Sequence, residues 1–499
     1  MAATPKISRS VQVAKTQAVK FESLPPEILG EIYIHLGWKD ILVSRTVSRR
    51  LFEISKSRPI WLFLLRQCSM MLPRPPTLDR SVDLYTTQEL EDLVVSRISA
   101  EVAWRSRKDP RIREITFPEG FGGAGAVLVD GGRWLLVLSK LQVHYGCVLV
   151  YDLDAPEIEE PAIIIWPQDA RDAQGAFFMA VDMDENEPTL TFNVSIIPES
   201  YRGTGDAFKP VLGNDKEVPI PILQVYRVTQ LGNGSQAKLV SRRLNSFPLP
   251  MHGDTWETSL RGPHFARVFS SGERMRMVEI YDWKKCDENT HVKASINFRH
   301  DFPLDVFILP ECKLLVICDD QLDIYNIQQL KSIPIPAEKE NQQPVTALAP
   351  YFSTPLESSL PPCDMAIFSR PHIEDGMIRM AITFQRGIHG LIIPRNGDPP
   401  RVITLSNEET DGECTCLGIN RVFFQVKLTI WTAIYTWPDD NAIGLDGQPR
   451  RALPLQEQQL ERGRGFLFNA LMDEESGRIV NGLKHGFSVL DWRLRLGAG

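Results

Sequence analysis

One phrase of three short strands and two turns returns several times after Arg111, and it limits the fold more than any other feature of the chain. Residues 126–153 read AVLV, a turn at Asp130-Gly131-Gly132, WLLVLS, a turn near Tyr145-Gly146, and CVLVYDL. Residues 306–327 give VFIL, LLVIC and LDIYNI, and residues 468–493 give FNALM, RIVNGL and FSVLDW. The third strand is the easiest to recognise: LVYDL at Tyr151, LQVYRV at Tyr226, VEIYDW at Tyr281 and LDIYNI at Tyr325. Alternation near a period of two, bounded by Gly, Asp and Pro, marks antiparallel strands. The step from Tyr281 to Tyr325 suits one four-stranded propeller blade, and residues 111–499 have room for six to eight blades at roughly 40 to 55 residues each. Stacked sandwiches use similar strands, but they do not repeat one phrase with the same internal order. A ring must also close, so the strand Ile112–Phe117 is expected to complete the last blade beside FSVLDW.

The stretch Phe21–Gln67 has a different period. Leu24, Ile28, Ile32 and Leu36 recur every four residues with Leu29 and Tyr33 on a neighbouring stripe, so one helix carries apolar groups on more than one face. Pro25 suits its first turn and Glu27 its positive end. Gly37 ends it. Asp40 is placed to cap a second helix with Ile41, Leu42 and Val43, and Ser48 a third with Leu51, Phe52 and Ile54. Pro59 breaks the run before a helix that is apolar all round from Ile60 to Leu65. A piece of about 45 residues cannot complete such a core alone, so it needs the rest of the chain or a partner.

The order Leu24-Pro25-Pro26-Glu27-Ile28-Leu29, Asp40-Ile41-Leu42, Val47-Ser48-Arg49-Arg50-Leu51, Ile60-Trp61 and Leu64-Leu65 resembles the F-box. That is the module by which substrate receptors dock on the Skp adaptor of a cullin–RING (SCF) ubiquitin ligase. The phrases GRWLLV and Tyr151-Asp152-Leu153 resemble the degenerate propeller repeats that follow F-boxes in fungal proteins. The resemblance implies an adaptor seam of Leu24, Pro25, Ile28, Leu29, Ile32, Ile41, Leu42, Val47, Leu51, Trp61 and Leu64, with Trp61 and Leu24 as its anchors. It implies no catalysis by this chain, only a target protein held close to a charged conjugating enzyme.

Between the two regions, Pro73, Pro75 and Pro76 mark a semi-rigid linker. Thr86 with Glu89 then opens a helix carrying Leu90, Val94, Ile98 and Val102, which Asp109-Pro110 stops. The expected organisation is a flexible tail over 1–20, an F-box domain over 21–69, a linker and spacer helix over 70–110, and a propeller-like domain over 111–499. The fold class is α+β multidomain: helices first, then a mainly antiparallel all-β propeller.

The remaining signals are weaker than their bland readings. The tail has no apolar core for a secretory signal, no run reaches the length of a membrane helix, and eight scattered cysteines suit a reducing compartment, so a cytoplasmic or nuclear protein is expected. Residues 1–109 are basic and the rest acidic within a net charge of −8, and no Arg/Lys stripe interleaves with aromatics, so nucleic acid is a poor partner. Gly120-Phe-Gly122-Gly-Ala-Gly125 fits a dinucleotide loop but leads into a strand, not a helix. Asp182-Met-Asp184-Glu-Asn186 begins like a calcium loop but has Glu187 where glycine is needed. Cys414-Thr-Cys416 has no second ligand pair. His252, Asp254, Trp256, Glu257 and His264 are the nearest approach to a catalytic cluster. No cofactor, metal or catalytic residue is therefore assigned. A propeller-fold hydrolase or lyase, and a scaffold that binds the adaptor without feeding a ligase, are the alternatives.

Overall fold

The computed structural model describes residues 21–71, 77–106, 108–119, 123–139, 146–155, 157, 160–166, 177–198, 221–249, 254–270, 276–298, 303–318, 321–328, 330–334, 348–355, 367–374, 376–384, 387–406, 413–426, 429–437, 453–459, 470–483 and 485–493. The tail over 1–20, Gly120 and Gly122, His252, and most of the long loops at 198–219 and 335–346 lie outside them. Two compact units form: Met1–Gln67 with Thr86–Val95, and Cys68–Tyr85 with Ser96–Gly499. The linker and spacer segment of the sequence reading is thus shared between them.

The first unit holds α1 (Pro26–Ile34), α2 (Trp38–Ser44), α3 (Arg49–Ser55), most of α4 (Arg58–Met71) and the first half of α5 (Thr87–Arg105). Leu29, Tyr33, Ile41, Leu51, Ile60, Trp61, Leu64, Leu90 and Val94 are buried. Ser48 caps α3 as expected, its hydroxyl oxygen accepting from the Leu51 N–H at 3.3 Å. Two boundaries differ from the sequence reading. Extended Gly37 precedes α2, so Asp40 lies in its first turn and not at its cap. The break falls at Lys56-Ser57, just before Pro59, which lies in the first turn of α4, where its missing N–H costs nothing. Arg45 joins the helices: it donates to both carboxylate oxygens of Glu91, Nη2 at 2.8 Å, and to Ser55 Oγ at 2.7 Å, with its guanidinium over the Trp61 ring.

The start of α5 is held by reciprocal bonds, from the Thr86 N–H to Glu89 Oε2 at 2.7 Å and from the Glu89 N–H to Thr86 Oγ1 at 3.2 Å. Thr86→Ala is expected to lower the stability of the first unit by about 1 kcal/mol, read as a shift in its urea midpoint.

The second unit is a seven-bladed propeller, within the expected range of six to eight. The chain enters it at β1 (Arg111–Thr116). Blade 1 is β2 (Gly123–Leu128), β3 (Trp134–Ser139), β4 (Val148–Asp152) and β5 (Ala162–Ile165). Blade 2 is β6 (Phe177–Met183), β7 (Thr191–Pro198), β8 (Ile222–Leu231) and β9 (Lys238–Pro248). Blade 3 begins with β10 (Asp254–Arg261), β11 (His264–Ser270), β12 (Arg276–Asp282) and β13 (Thr290–Phe298), and blade 4 with β14 (Pro303–Leu309), β15 (Lys313–Cys318) and β16 (Gln321–Asn326). The chain then steps back: β17 (Lys331–Pro334) pairs with β13 as a fifth strand of blade 3 before β18 (Phe352–Pro355) completes blade 4.

Blade 5 is β19 (Ile367–Phe368), β20 (His372–Glu374), β21 (Met377–Phe384), β22 (Gly387–Pro394) and β23 (Arg401–Ser406). Blade 6 is β24 (Glu413–Leu417), β25 (Arg421–Val426), β26 (Thr429–Ile434) and β27 (Leu453–Gln459). Blade 7 is β28 (Leu471–Asp473), β29 (Arg478–Leu483) and β30 (Gly486–Asp491), completed by β1. The expected closure is present, with Ile112 opposite Leu490 and Ile115 opposite Phe487.

Stacking of blades explains the sequence. The strand WLLVLS is buried at every position because its two faces meet different neighbours. Leu136 and Leu138 pack with Phe192 and Val194 of blade 2, while Leu135 and Val137 pack with Val480 and Phe487 of blade 7. Similar clusters lie between the other adjacent blades, so each sheet is buried on both faces and reads as a near-continuous apolar run. Tyr151, Tyr226, Tyr281 and Tyr325 all fall on third strands, as their shared phrase suggests.

Candidate docking surfaces

In the first unit, α1 is apolar on two sides and buries only one. Leu29 and Tyr33 are inside, whereas Ile28 is 48 % exposed, Pro25 is exposed and Leu24 and Ile32 are half-buried. Val43 near the end of α2 and Val47 in the connection to α3 are 64 % and 66 % exposed. The residues expected to form the adaptor seam are therefore divided. Leu24, Pro25, Ile28, Ile32, Leu42 and Val47 keep surface, and Leu29, Ile41, Leu51, Trp61 and Leu64 are core residues. Trp61, read from the sequence as an anchor of that seam, is fully buried with its indole N–H on the Ser55 carbonyl at 2.9 Å. The helix that is apolar all round needed this cover, and its largest side chain supplies core volume instead of a surface knob.

In the second unit, the turns between first and second strands, and between third and fourth, leave from one rim of the propeller because the strands alternate in direction. Residues 77–85 and the second half of α5 lie along this rim over blades 6, 7, 1 and 2. The Leu190 N–H donates to the Asp79 carbonyl at 2.8 Å, and the Asp79 carboxylate takes the Gln230 amide at 3.1 Å and lies 3.5 Å from Arg133. Thr77 donates to Glu475 through its N–H and hydroxyl at 2.7 and 2.8 Å. Arg97 donates to the Gly131 carbonyl, Glu101 pairs with Arg421, and Trp104 stacks on Trp492 at 4.7 Å. A side chain at Gly477, at φ 64°, would meet the Ala100 methyl at 2.8 Å, which is why the helix can approach so closely there.

Further round the same rim, a cleft of 880 Å³ lies between blades 2 and 3. Asp182, Asn193, Arg227 and Arg242 line one wall, and Arg261, Gly262, Trp283 and Lys284 the other. The acidic turn after β6 is engaged here: Arg227 Nη2 lies 2.9 Å from Asp184 and 2.6 Å from Glu187. Asp182 accepts the Gly262 N–H at 2.7 Å, and burial pushes its carboxyl up to about 6 despite that bond and nearby Arg261.

No protein-family model and no curated protein matches the chain. Among solved structures it is similar to the WD40 domain of SCAP from fission yeast, at 9 % identity over 75 % of this chain and 85 % of that one, with a TM-score of 0.38. It is also similar to the Trypanosoma rangeli sialidase, at 12 % identity over 66 % and 58 % of the two chains with a TM-score of 0.34. A prolyl endopeptidase follows at 11 % identity, 68 % and 43 % coverage, and a TM-score of 0.31. The propeller itself is read from its own strand order.

The sequence-read catalytic cluster does not assemble among the described residues. His264 pairs with Arg261 at one end of the β10–β11 hairpin, and Glu257 pairs with Val268 four positions along, roughly 13 Å away. His264 is 8 % exposed, and burial lowers its pKa. Glu257 instead interacts with Asp305 on the adjoining first strand of blade 4. Burial pushes Glu257 up to about 7 and raises Asp305 well above the usual carboxylate range, with the Glu257 charge adding to the second shift. Cys416 is buried beside Trp104 and Phe423. No sequence signal pointed to Arg242 or Lys284, and none grouped them with Asn193, because that grouping depends on strand register and on a neighbouring blade. Among the described residues no helix is long and apolar enough to cross a membrane.

Proposed function

We propose that the chain is a substrate-recognition subunit of an SCF-type ubiquitin ligase, with the helical unit docking on a Skp-type adaptor and the propeller holding a target protein. The observation that carries this reading is the two-sided α1, in a helical unit whose residue order resembles the F-box. Its inner face completes a core, and its outer face leaves Leu24, Pro25, Ile28 and Ile32 for a partner. The chain would contribute proximity, while the chemistry of transfer stays with the other subunits.

Each well-covered apolar anchor supplies about 1.5–3 kcal/mol, so Leu24→Asp with Ile28→Asp is expected to weaken adaptor capture by roughly a hundredfold or more, and Pro25→Ala by less. The measurement is co-purification with a Skp-type adaptor, with the melting curve of the variant as a fold control. Undiminished capture by the doubly substituted chain would sink the reading. Capture of the adaptor without a cullin would favour the scaffold alternative. For the enzyme alternative the foothold is the Glu257 and Asp305 pair, whose raised carboxyls suit acid–base work but lie outside the cleft between blades 2 and 3.

A further inference from the structure

The wall of the cleft on blade 2 is a row of polar side chains laid across the sheet. Register places Asp182 opposite Asn193, Asn193 opposite Arg227 and Arg227 opposite Arg242, so the four project from one face of β6, β7, β8 and β9. Asn193 is 7 % exposed, lines the cleft, and its Oδ1 finds no hydrogen-bond partner among the described residues. Buried side-chain amides are nearly always satisfied, so an acceptor left open on the wall of a cleft calls for a donor from outside the chain.

The formal charges of the lining balance, but their pairing does not. Asp184 and Glu187 are spent on Arg227, and Asp182 holds the Gly262 N–H. Arg261 lies near Asp182 and lowers its carboxyl, whereas Arg242 and Lys284 make no ion pair with a carboxylate among the described residues. These cations come from β9, from the last residue of β10 and from the turn after β12, so they surround the opening instead of converging on one point. Asn193 and Arg242 stand two strands apart, roughly 10 Å, which is further than one carboxylate group reaches. A ligand that answers both needs an N–H and several acidic groups spaced along a backbone. The volume of 880 Å³ is near the upper end of the roughly 300–1,000 Å³ that binding clefts offer, enough for a few residues.

We propose that this cleft binds an extended acidic peptide segment, with a main-chain N–H donating to Asn193 Oδ1 and carboxylate side chains meeting Arg242, Arg261 and Lys284. The site assigns a ligand class to the propeller and does not depend on adaptor docking, since a chain that captured no adaptor would keep the cleft.

The test uses the full chain and three fluorescent dodecapeptides of one length: one rich in Glu and Asp, its Gln and Asn counterpart, and one rich in Lys and Arg. Fluorescence anisotropy is expected to show the acidic peptide binding best, with affinity that falls as salt is raised. Arg242→Glu with Lys284→Glu changes two exposed side chains, so its melting curve should match that of the unchanged protein. This variant should bind the acidic peptide roughly tenfold more weakly or worse, and gain on the basic one. Asn193→Leu should weaken both the acidic peptide and its neutral counterpart, because the lost contact is to the main chain. Equal or tighter binding of the basic peptide by the unchanged protein would overturn the proposal, as would acidic-peptide affinity that the double reversal leaves intact. Glutarate displacing the acidic peptide at equal concentration would also overturn it, in favour of a free dicarboxylate. Adaptor capture measured on the same samples separates a failure here from a failure of the ligase reading.

Discussion

A chain that ends before Gly486, and so lacks β30, is expected to lose the cooperative melting transition of its propeller. Every residue of β30 is buried, and the strand sits between β29 and β1, so its removal strips two hydrogen-bonded edges at once. Phe487 is the hinge of the contact between last and first blades: its ring meets Tyr151 edge-on at 4.9 Å and Phe117 at 6.0 Å. Phe487, Val489 and Leu490 are each essentially inaccessible. At about 1.5–3 kcal/mol apiece their burial alone is comparable with the 5–15 kcal/mol of a whole folded protein.

Arg478 loses a partner as well. Fully buried on β29, it donates to Asp491 at 3.0 Å, to the Leu153 carbonyl at 2.9 Å and to Asp154 at 2.6 Å, so it ties blade 7 to blade 1. Without Asp491 its charge is only partly compensated. The expected product keeps much of its far-ultraviolet signal and exposes apolar surface to a hydrophobic dye. An unchanged melting transition in the truncated chain would show that β1 does not close the ring through β30.

The largest effect of a single substitution is expected at Glu279, where Gln should cost about 3–5 kcal/mol. Glu279 is fully buried in blade 3. It accepts from Arg267 Nη2 at 2.6 Å, Lys293 Nζ at 3.1 Å and the Tyr281 hydroxyl at 2.6 Å, and all three partners are buried too. Replacing the carboxylate by an amide leaves two buried cations facing each other. Burial by itself would raise the Glu279 pKa, but Arg267 and then Lys293 outweigh it and hold the carboxyl down at about 2.

Because this folded-state value lies below that of an unfolded glutamate, the stabilisation is complete above the ordinary carboxylate range and is lost as the pH falls from about 4 towards 2. On the order of 3 kcal/mol disappears over that window. Acid denaturation followed by tryptophan fluorescence should therefore be steeper for the unchanged protein than for Glu279→Gln across this range. Parallel curves for the two proteins would refute the assignment.

The structure departs from the sequence reading where residues far apart in the chain choose each other. Strand β17 is an ordinary short segment, Lys331-Ser332-Ile333-Pro334, and nothing local says that it pairs with β13 of the preceding blade. The segment over 77–85 reads as part of a linker because Pro73, Pro75 and Pro76 break the chain before it, yet Asp79 is joined to Leu190, Gln230 and Arg133. In α5, Glu101 looks like a solvated charge until Arg421 of blade 6 is placed beside it. Trp61 is a case of the same kind: an apolar helix shows that cover is needed but not whether it is internal or brought by a partner, and here the side chain is covered within the chain.

The sequence by itself determined the helical head with its Ser48 cap, the repeated three-strand phrase with tyrosine on third strands, and a closing strand at Ile112–Phe117, one residue along from the observed Arg111–Thr116. All of these rest on period, turn chemistry and the need to bury apolar faces, which act over a few residues at a time. Only the tertiary structure decided the count of seven blades, the row from Asp182 to Arg242, the Glu279 network and the side of α1 that stays open. Each depends on which strand registers are adopted and which blade stands next, and those follow from closing a ring of sheets buried on both faces.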